Sequence, residues 1–334
     1  MKKIKLFMAL PISLLISCLV LPGCSSLLHD KAASANSLQI LTIGTADSGG
    51  TMSAAGKSLA KVIEGTDSSL KVNVAVGSGS AENVRNLSEG DIDLGLVSGD
   101  VAFAAVNGTG EFSEEPVGSL RTLAAVYPSL SNWMALSSSR LFYVHDLGGK
   151  RIGMGPQDST TEMSARTVLT LMGITPENSS FINCGLGSGA DNVKTGSLDA
   201  IHGFTGIPIE SFAHVAGETS VRLLKYTDQE LLDILRTNSF YYQDVIPAGT
   251  YPGQTSDVST FGIKCLLCVR SDMDEELTYE LTAILCEQAE TLAGLNGTLS
   301  YMTQRDFMYS ELPIELHDGA KRYYEGHGLL PINQ

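Results

Sequence analysis

Three short polar loops carry the side chains with the most chemistry to offer. Thr45-Ala46-Asp47-Ser48-Gly49-Gly50-Thr51, Gly77-Ser78-Gly79-Ser80 ahead of Glu82-Asn83, and Pro156-Gln157-Asp158-Ser159-Thr160-Thr161 each follow an apolar run and open a helical pattern. In such a loop, glycines let the backbone turn tightly and hydroxyls add donors. The first N–H groups of the helix point into it unpaired, at the positive end of the helix dipole. Repeated three times, the device can hold a carboxylate in a dry cleft without a dedicated arginine. The ordinary alternative is helix capping by Asp47 or Ser48, and by Glu82 and Glu162; one of those two glutamates is otherwise free to meet a ligand ammonium.

Other constellations fare less well. Ala46-Asp47-Ser48-Gly49-Gly50 is similar to the serine loop of chymotrypsin-like proteases, but those enzymes place His and Asp before the serine, and only His29 precedes Ser48 here. A serine hydrolase using Ser48 is therefore the weaker alternative, and no catalytic residue is assigned. Cys265-Leu266-Leu267-Cys268 has redox or zinc spacing, yet it lies in an apolar strand pattern, where residues three apart face opposite sides. Cys184, Cys265, Cys268 and Cys286 are expected to be free thiols. His202 and His317 have no ligand spacing with each other, so neither metal nor cofactor is expected.

The elements that position the loops alternate. Leu38, Ile40, Leu41 and Ile43 form a buried strand, and Met52, Ala55, Leu59 and Val62 recur at helical spacing. Strands follow at 71–76, 91–97, 151–155, 181–184, 200–204, 221–224 and 259–270, most of them separated by helices, and two apolar runs lie between 120 and 136. Strand–helix alternation of this length builds parallel sheets, with ligands at the carboxyl ends of the strands. The tail from about 275 is helical or irregular, too little for a third domain, and is expected to pack on the first lobe. Asp199 and Pro208 fall near the second lobe's cleft or at a strand end and a turn.

Lys2, Lys3 and Lys5 precede an apolar segment over 6–20, the pattern of a signal peptide. Leu21-Pro22-Gly23-Cys24 then resembles a bacterial lipobox, with Cys24 lipidated and 25–37 a Ser/Ala-rich tether. The whole chain has 22 basic and 37 acidic residues; loss of the three leader lysines leaves 19 basic. So acidic a chain without a clustered basic face does not suit nucleic acid.

Several separate motifs together resemble the TAXI family, the solute-binding receptors of one class of TRAP transporters. They are Gly44-Thr45 with Ser48-Gly49-Gly50-Thr51, Gly79-Ser80 with Glu82-Asn83, and Gly155-Pro156 with Ser159 and Glu162. Gly196-Ser197-Leu198-Asp199-Ala200 with Pro208, Ile246-Pro247-Ala248-Gly249-Thr250-Tyr251, and Leu316-His317-Asp318-Gly319-Ala320 with Tyr323-Tyr324 complete the set. The resemblance implies an α/β, two-lobed type 2 periplasmic-binding-protein fold, each lobe a mostly parallel sheet flanked by helices, the lobes joined by two crossing strands. In these terms 1–23 is the signal peptide, 24–37 the lipidated cysteine and tether, 38–137 with 259–334 lobe I, and 138–258 lobe II. It implies a monomeric, membrane-anchored, non-enzymatic receptor that delivers a glutamate-like amino acid or small dicarboxylate to a multi-span permease driven by an ion gradient. The ligand contacts expected are Thr45, Ser48, Gly49, Gly50, Thr51, Gly79, Ser80, Asn83, Ser159, Thr160, Thr161 and Pro208. Where the family usually carries aromatic residues after the Gly-Gly pair, this chain has Met52-Ser53, which leaves room for a different ligand. A sensor for another small molecule is the remaining alternative.

Overall fold

The computed structural model describes residues 38–46, 48 and 50–331. In chain order its first elements are β1 (Gln39–Gly44), α1 (Thr51–Thr66), β2 (Leu70–Ala75), α2 (Ser80–Glu89), β3 (Leu94–Ser98), α3 (Gly99–Asn107) and the long β4 (Leu120–Leu136). Then come β5 (Arg151–Gly155), α4 (Thr160–Leu171), β6 (Ser180–Asn183), α5 (Leu186–Thr195), β7 (Ala200–Thr205), α6 (Glu210–Glu218), β8 (Val221–Leu223) and α7 (Asp228–Leu235). The remainder is β9 (Tyr242–Ile246), β10 (Val258–Arg270), α8 (Glu275–Glu287), α9 (Ala289–Leu295), a short 3-10 segment at Gly297–Thr303, and α10 (Asp318–Gly326).

The strands pair in the order β2-β1-β3-β10-β4-β7-β5-β6, with β8 on β4 and β9 on β10. β1 runs parallel to β2 and β3, and β5 parallel to β6 and β7, as strand–helix–strand units require. β4 and β10 run antiparallel to every neighbour and pass through the whole assembly. Around them lie two separately packed lobes. In the first, α1, α8, α9 and α10 bury Leu59, Ile63, Leu281 and Tyr324 on one face of β1–β3, while α2 and α3 bury Val84, Leu87 and Val101 on the other. In the second, α4 and α7 cover Ile152 and Phe204, and α5 and α6 cover Ile201 and Phe212. The expected two-lobed α/β class is the one found, and the tail packs on the first lobe, where Tyr324 Oη donates to the Leu123 carbonyl at 3.1 Å.

β4 and β10 change lobes in mid-strand. Tyr127 belongs to the first lobe's core and Leu130 to the second's; in β10 the exchange falls between Ile263 and Cys265. The lobe boundaries read from sequence, 137/138 and 258/259, fall at the ends of these strands instead. At the exchange the backbones approach so closely that a Cβ on Gly262 would lie 2.8 Å from the Ser129 carbonyl oxygen. Beside it Lys264 is buried, its ammonium donating to the carbonyls of Phe307 at 3.0 Å and Ser310 at 2.8 Å. Cys265 and Cys268 sit on this strand, facing opposite cores as the alternation of a strand demands.

One buried hydrogen-bond chain ties β4 to the second lobe. Trp133 Nε1–H donates to Tyr226 Oη at 2.7 Å. Ser131 Oγ lies 2.7 Å from Tyr226 Oη and 2.9 Å from His202 Nε2, and His202 Nδ1 lies 3.1 Å from the Thr161 carbonyl. The indole only donates and the carbonyl only accepts, so with a neutral imidazole a single arrangement uses every proton. Tyr226 donates to Ser131, Ser131 to Nε2, and Nδ1–H to Thr161. Replacement Tyr226→Phe strips both the Trp133 donor and the Ser131 acceptor of their partner. It is expected to cost about 1–3 kcal/mol, read in urea as a lower midpoint at unchanged slope; an unchanged midpoint contradicts the chain.

Candidate functional site

The polar loops emerge at the carboxyl ends of β1, β2, β5 and β7, on the sides of the two lobes that face each other. Thr51, first residue of α1, reaches across, its hydroxyl donating to the Gly206 carbonyl at 3.3 Å. Thr298 does the same to Ile207, also at 3.3 Å. Gly206 has to be glycine here, because a Cβ would stand 2.3 Å from Thr298 Cγ2 and 2.6 Å from Thr51 Cγ2. Farther along the cleft Phe103 of α3 meets Phe240 of the second lobe with ring centroids 4.7 Å apart.

Within the first lobe several expected ligand contacts already hold partners. The Thr45 hydroxyl donates to the Ala75 carbonyl at 2.8 Å, lashing β1 to β2. Ser80 Oγ accepts from the Ser98 amide at 2.9 Å, and the Asn83 side-chain amide donates to Leu96 at 2.8 Å, together sewing α2 to the end of β3. Gly79, just before α2, has φ of +119°, a conformation that excludes other side chains. Free donors remain at the helix starts: α1 begins after Gly50, α2 after Gly79 and α3 after Ser98, each without a side-chain cap. Ser48 is exposed, and Asp47 and Gly49 lie outside the described residues.

The third loop is built differently. Ser159 caps α4, accepting from the Glu162 amide at 3.2 Å while donating to the Pro156 carbonyl at 2.6 Å. Thr160 is half-buried, and the Thr161 hydroxyl faces β7, accepting from the Phe204 amide at 3.4 Å. Glu162 accepts from the Asp158 amide at 2.7 Å and pairs with Arg166 at 2.6 Å. Burial raises its carboxyl, but Arg166 and the backbone donor outweigh burial and hold it below the usual range. Glu82 is likewise held low, by the Ser78 hydroxyl and then by the Ser78 amide, which donates at 2.6 Å. Both glutamates are thus spent on their own helix starts. Asp199, expected near the cleft or at a strand end, proves to be the latter: it forms a two-pronged ion pair with Arg151 at the amino ends of β5 and β7. Pro208 is exposed beside the Ile207–Thr298 contact.

Among the described residues a further carboxylate, without an ion pair, stands near Tyr241 of the second lobe, and the loop pattern in the sequence did not single it out. Asp100 occupies the first turn of α3, its Oδ1 accepting from the Val101 amide at 2.9 Å. Burial raises its carboxyl above the usual range. The signal was available in Ser98-Gly99-Asp100, which follows β3 as the other loops follow their strands. A separate concavity of about 420 Å³, lined by Phe142, Arg222, Tyr251 and Gln254, opens at the opposite end of β4, near the start of β7 and away from these groups.

Residues 43–328 match the NMT1-like family, and the chain belongs to that family. Among solved structures it is similar to an L-cystine ABC transporter protein from Listeria monocytogenes, at 16% identity over 78% of this chain and 95% of that one, with a TM-score of 0.48. A TctC solute-binding protein from Polaromonas matches at 16% identity over 80% of this chain and 88% of that one, TM-score 0.48. The aliphatic sulphonate-binding protein of Escherichia coli matches at 16% identity, over 86% and 87% of the two chains, TM-score 0.46.

His202 gives the second lobe a pH limit. Burial lowers its pKa to about 3, against an ordinary value of 6.5, so the folded imidazole stays neutral where the unfolded one takes up a proton. Stability from this residue is complete above about pH 6.5 and declines by about 1.4 kcal/mol per pH unit as the pH falls toward 3. Urea titrations between pH 7 and 5 are expected to show that slope and to lose it in His202→Gln; an equal slope in the variant excludes His202 as its source.

Proposed function

We propose that the chain is an extracytoplasmic solute-binding receptor that closes around a small carboxylate or amino acid and delivers it to a TRAP-type permease. The observation that carries this reading is the meeting of an uncapped helix start in one lobe with the turn after β7 in the other, above two strands shared by both. Backbone N–H groups at the starts of α1, α2 and α3 supply the carboxylate seat, with Thr51 and Ser48 at its rim. Cleft closure by bending of β4 and β10 traps the solute and offers the permease a surface that the open form lacks. The work is binding and release, without turnover. Membership in the NMT1-like family and the TAXI-like motifs support this assignment.

Its test is a thermal-shift screen of amino acids and carboxylates, followed by small-angle scattering and titration with any hit. A ligand at a hundred times its dissociation constant adds about 2.7 kcal/mol of stability, and the scattering radius should shrink on binding with the ligand recovered intact. Thr51→Val, which removes a hydroxyl at the rim, is expected to weaken binding by about 1–3 kcal/mol. A bound solute that is chemically converted, or full affinity in this variant, refutes the reading.

Cys24 and the leader lie outside the described residues. We assign Cys24 as the lipid-bearing residue, giving stable anchorage only when multiply acylated. Cys24→Ser should release the protein from membranes or leave an uncleaved precursor; a cleaved, lipid-free form that stays membrane-bound excludes the anchor.

A further inference from the structure

Like Asp244 of β9, Asp100 has the amide of the next residue as donor to its carboxylate, here Val101 in the first turn of α3. No lysine, arginine or histidine among the described residues forms an ion pair with it, although Glu162 and Asp199 each hold an arginine. A half-buried carboxylate without a counter-charge disfavours the folded protein, and such groups persist where something else supplies the charge. The surroundings are polar and incomplete. Ser98 in the first lobe and Ser164 of α4 in the second are 3% and 2% exposed, and the hydroxyl of each lacks a hydrogen-bond partner. Ser98 Oγ lies beside the Asp100 carboxylate and Ser164 Oγ beside the Tyr241 hydroxyl, both short of bonding geometry. Phe103, one helical turn after Asp100 on the same face of α3, packs on Phe240, and so directs that face at the Phe240–Tyr241 turn of the second lobe. Tyr241 in turn packs on Phe261 of β10 with centroids 4.9 Å apart. A carboxylate and unpartnered hydroxyls from both lobes therefore converge between α3 and α4, walled by aromatic rings.

We propose that Asp100 is the counter-charge for a ligand ammonium, so that the cleft selects a zwitterionic, amino-acid-type solute over a dicarboxylate. The proposal rests on the receptor reading and narrows it. The ligand carboxylate takes the uncapped helix starts, and its ammonium spends three donors on the Asp100 carboxylate and on the Ser98 and Tyr241 oxygens. Glu82 and Glu162 are unable to serve, because their oxygens already hold the helix starts and Arg166.

The experiment uses the full soluble chain from Leu38 onward and matched pairs differing only by the amine: each proteinogenic amino acid against its deaminated acid, as L-glutamate against glutarate and L-alanine against propionate. Calorimetry and thermal shift are run on the native protein, Asp100→Asn and Ser164→Ala. The amine-bearing member of a pair is expected to bind at least tenfold tighter. Asp100→Asn should weaken it by about tenfold to a hundredfold, while melting no lower than the native protein when ligand-free, since Asn keeps the Val101 contact and removes the unpaired charge. That opposed effect separates a ligand contact from a merely structural residue. A deaminated acid that binds as tightly as its amine, or an Asp100→Asn variant with native affinity, overturns the ammonium site and leaves the receptor standing. Absence of binding in both series overturns the receptor reading and this proposal with it.

Discussion

Everything in this molecule hangs on the antiparallel ladder between β4 and β10. Each strand contributes to two cores, so neither lobe can form its sheet without the strands that also build the other. The close approach of Gly262 to Ser129 brings the two backbones together where the lobes exchange. Buried Lys264, satisfied by two carbonyls from the segment after α9, fastens the tail to the same point. Relative motion of the lobes must then be a bend of a continuous hydrogen-bonded ribbon, since sliding would break its register.

The cleft divides its polar groups into those that hold the frame and those that remain open. Thr45, Ser80, Asn83, Ser159 and Glu162 answer to the protein itself, fixing strand ends and helix starts in place. What they fix are backbone donors, which carry no side-chain entropy and gain from alignment with the helix dipole. The first lobe has helix starts without side-chain caps at α1, α2 and α3 and the second at α5 and α6, while the start of α4 is closed by Ser159 and Glu162. Contacts such as Thr51 with Gly206 join the two lobes across the cleft.

The alternation of strands and helices was legible because local patterns dictate it: Arg151–Gly155 and Ala200–Thr205 are buried apolar runs between turns. β9 escaped notice, since Gln243 and Asp244 interrupt its apolar pattern and it pairs along one side only, with β10. β4 read as two runs because Pro128 ordinarily marks a break in a central strand; here it stands where the strand leaves one lobe for the other. Hydroxyl-rich loops were recognisable as helix entries, but sequence does not say which hydroxyl is already engaged. Ser159 and Ser80 look alike on paper, and only the fold reveals that one caps its own helix and the other receives an amide eighteen positions away. Asp199 depended on a partner forty-eight residues distant, a separation no local pattern encodes.

The chain from Trp133 through Tyr226, Ser131 and His202 to Thr161 points every proton the same way. Reversing it would require the indole to accept or a carbonyl to donate, so the series has one polarity and acts as a stiff tie-rod. Its far end is fastened to the first turn of α4, beside the loop that closes on the cleft, and its near end to a strand shared with the other lobe. A displacement of α4 is therefore passed as tension to β4 through bonds that have no alternative arrangement to relax into. The loop before α4 and the shared ribbon are thereby tied through the second lobe's core.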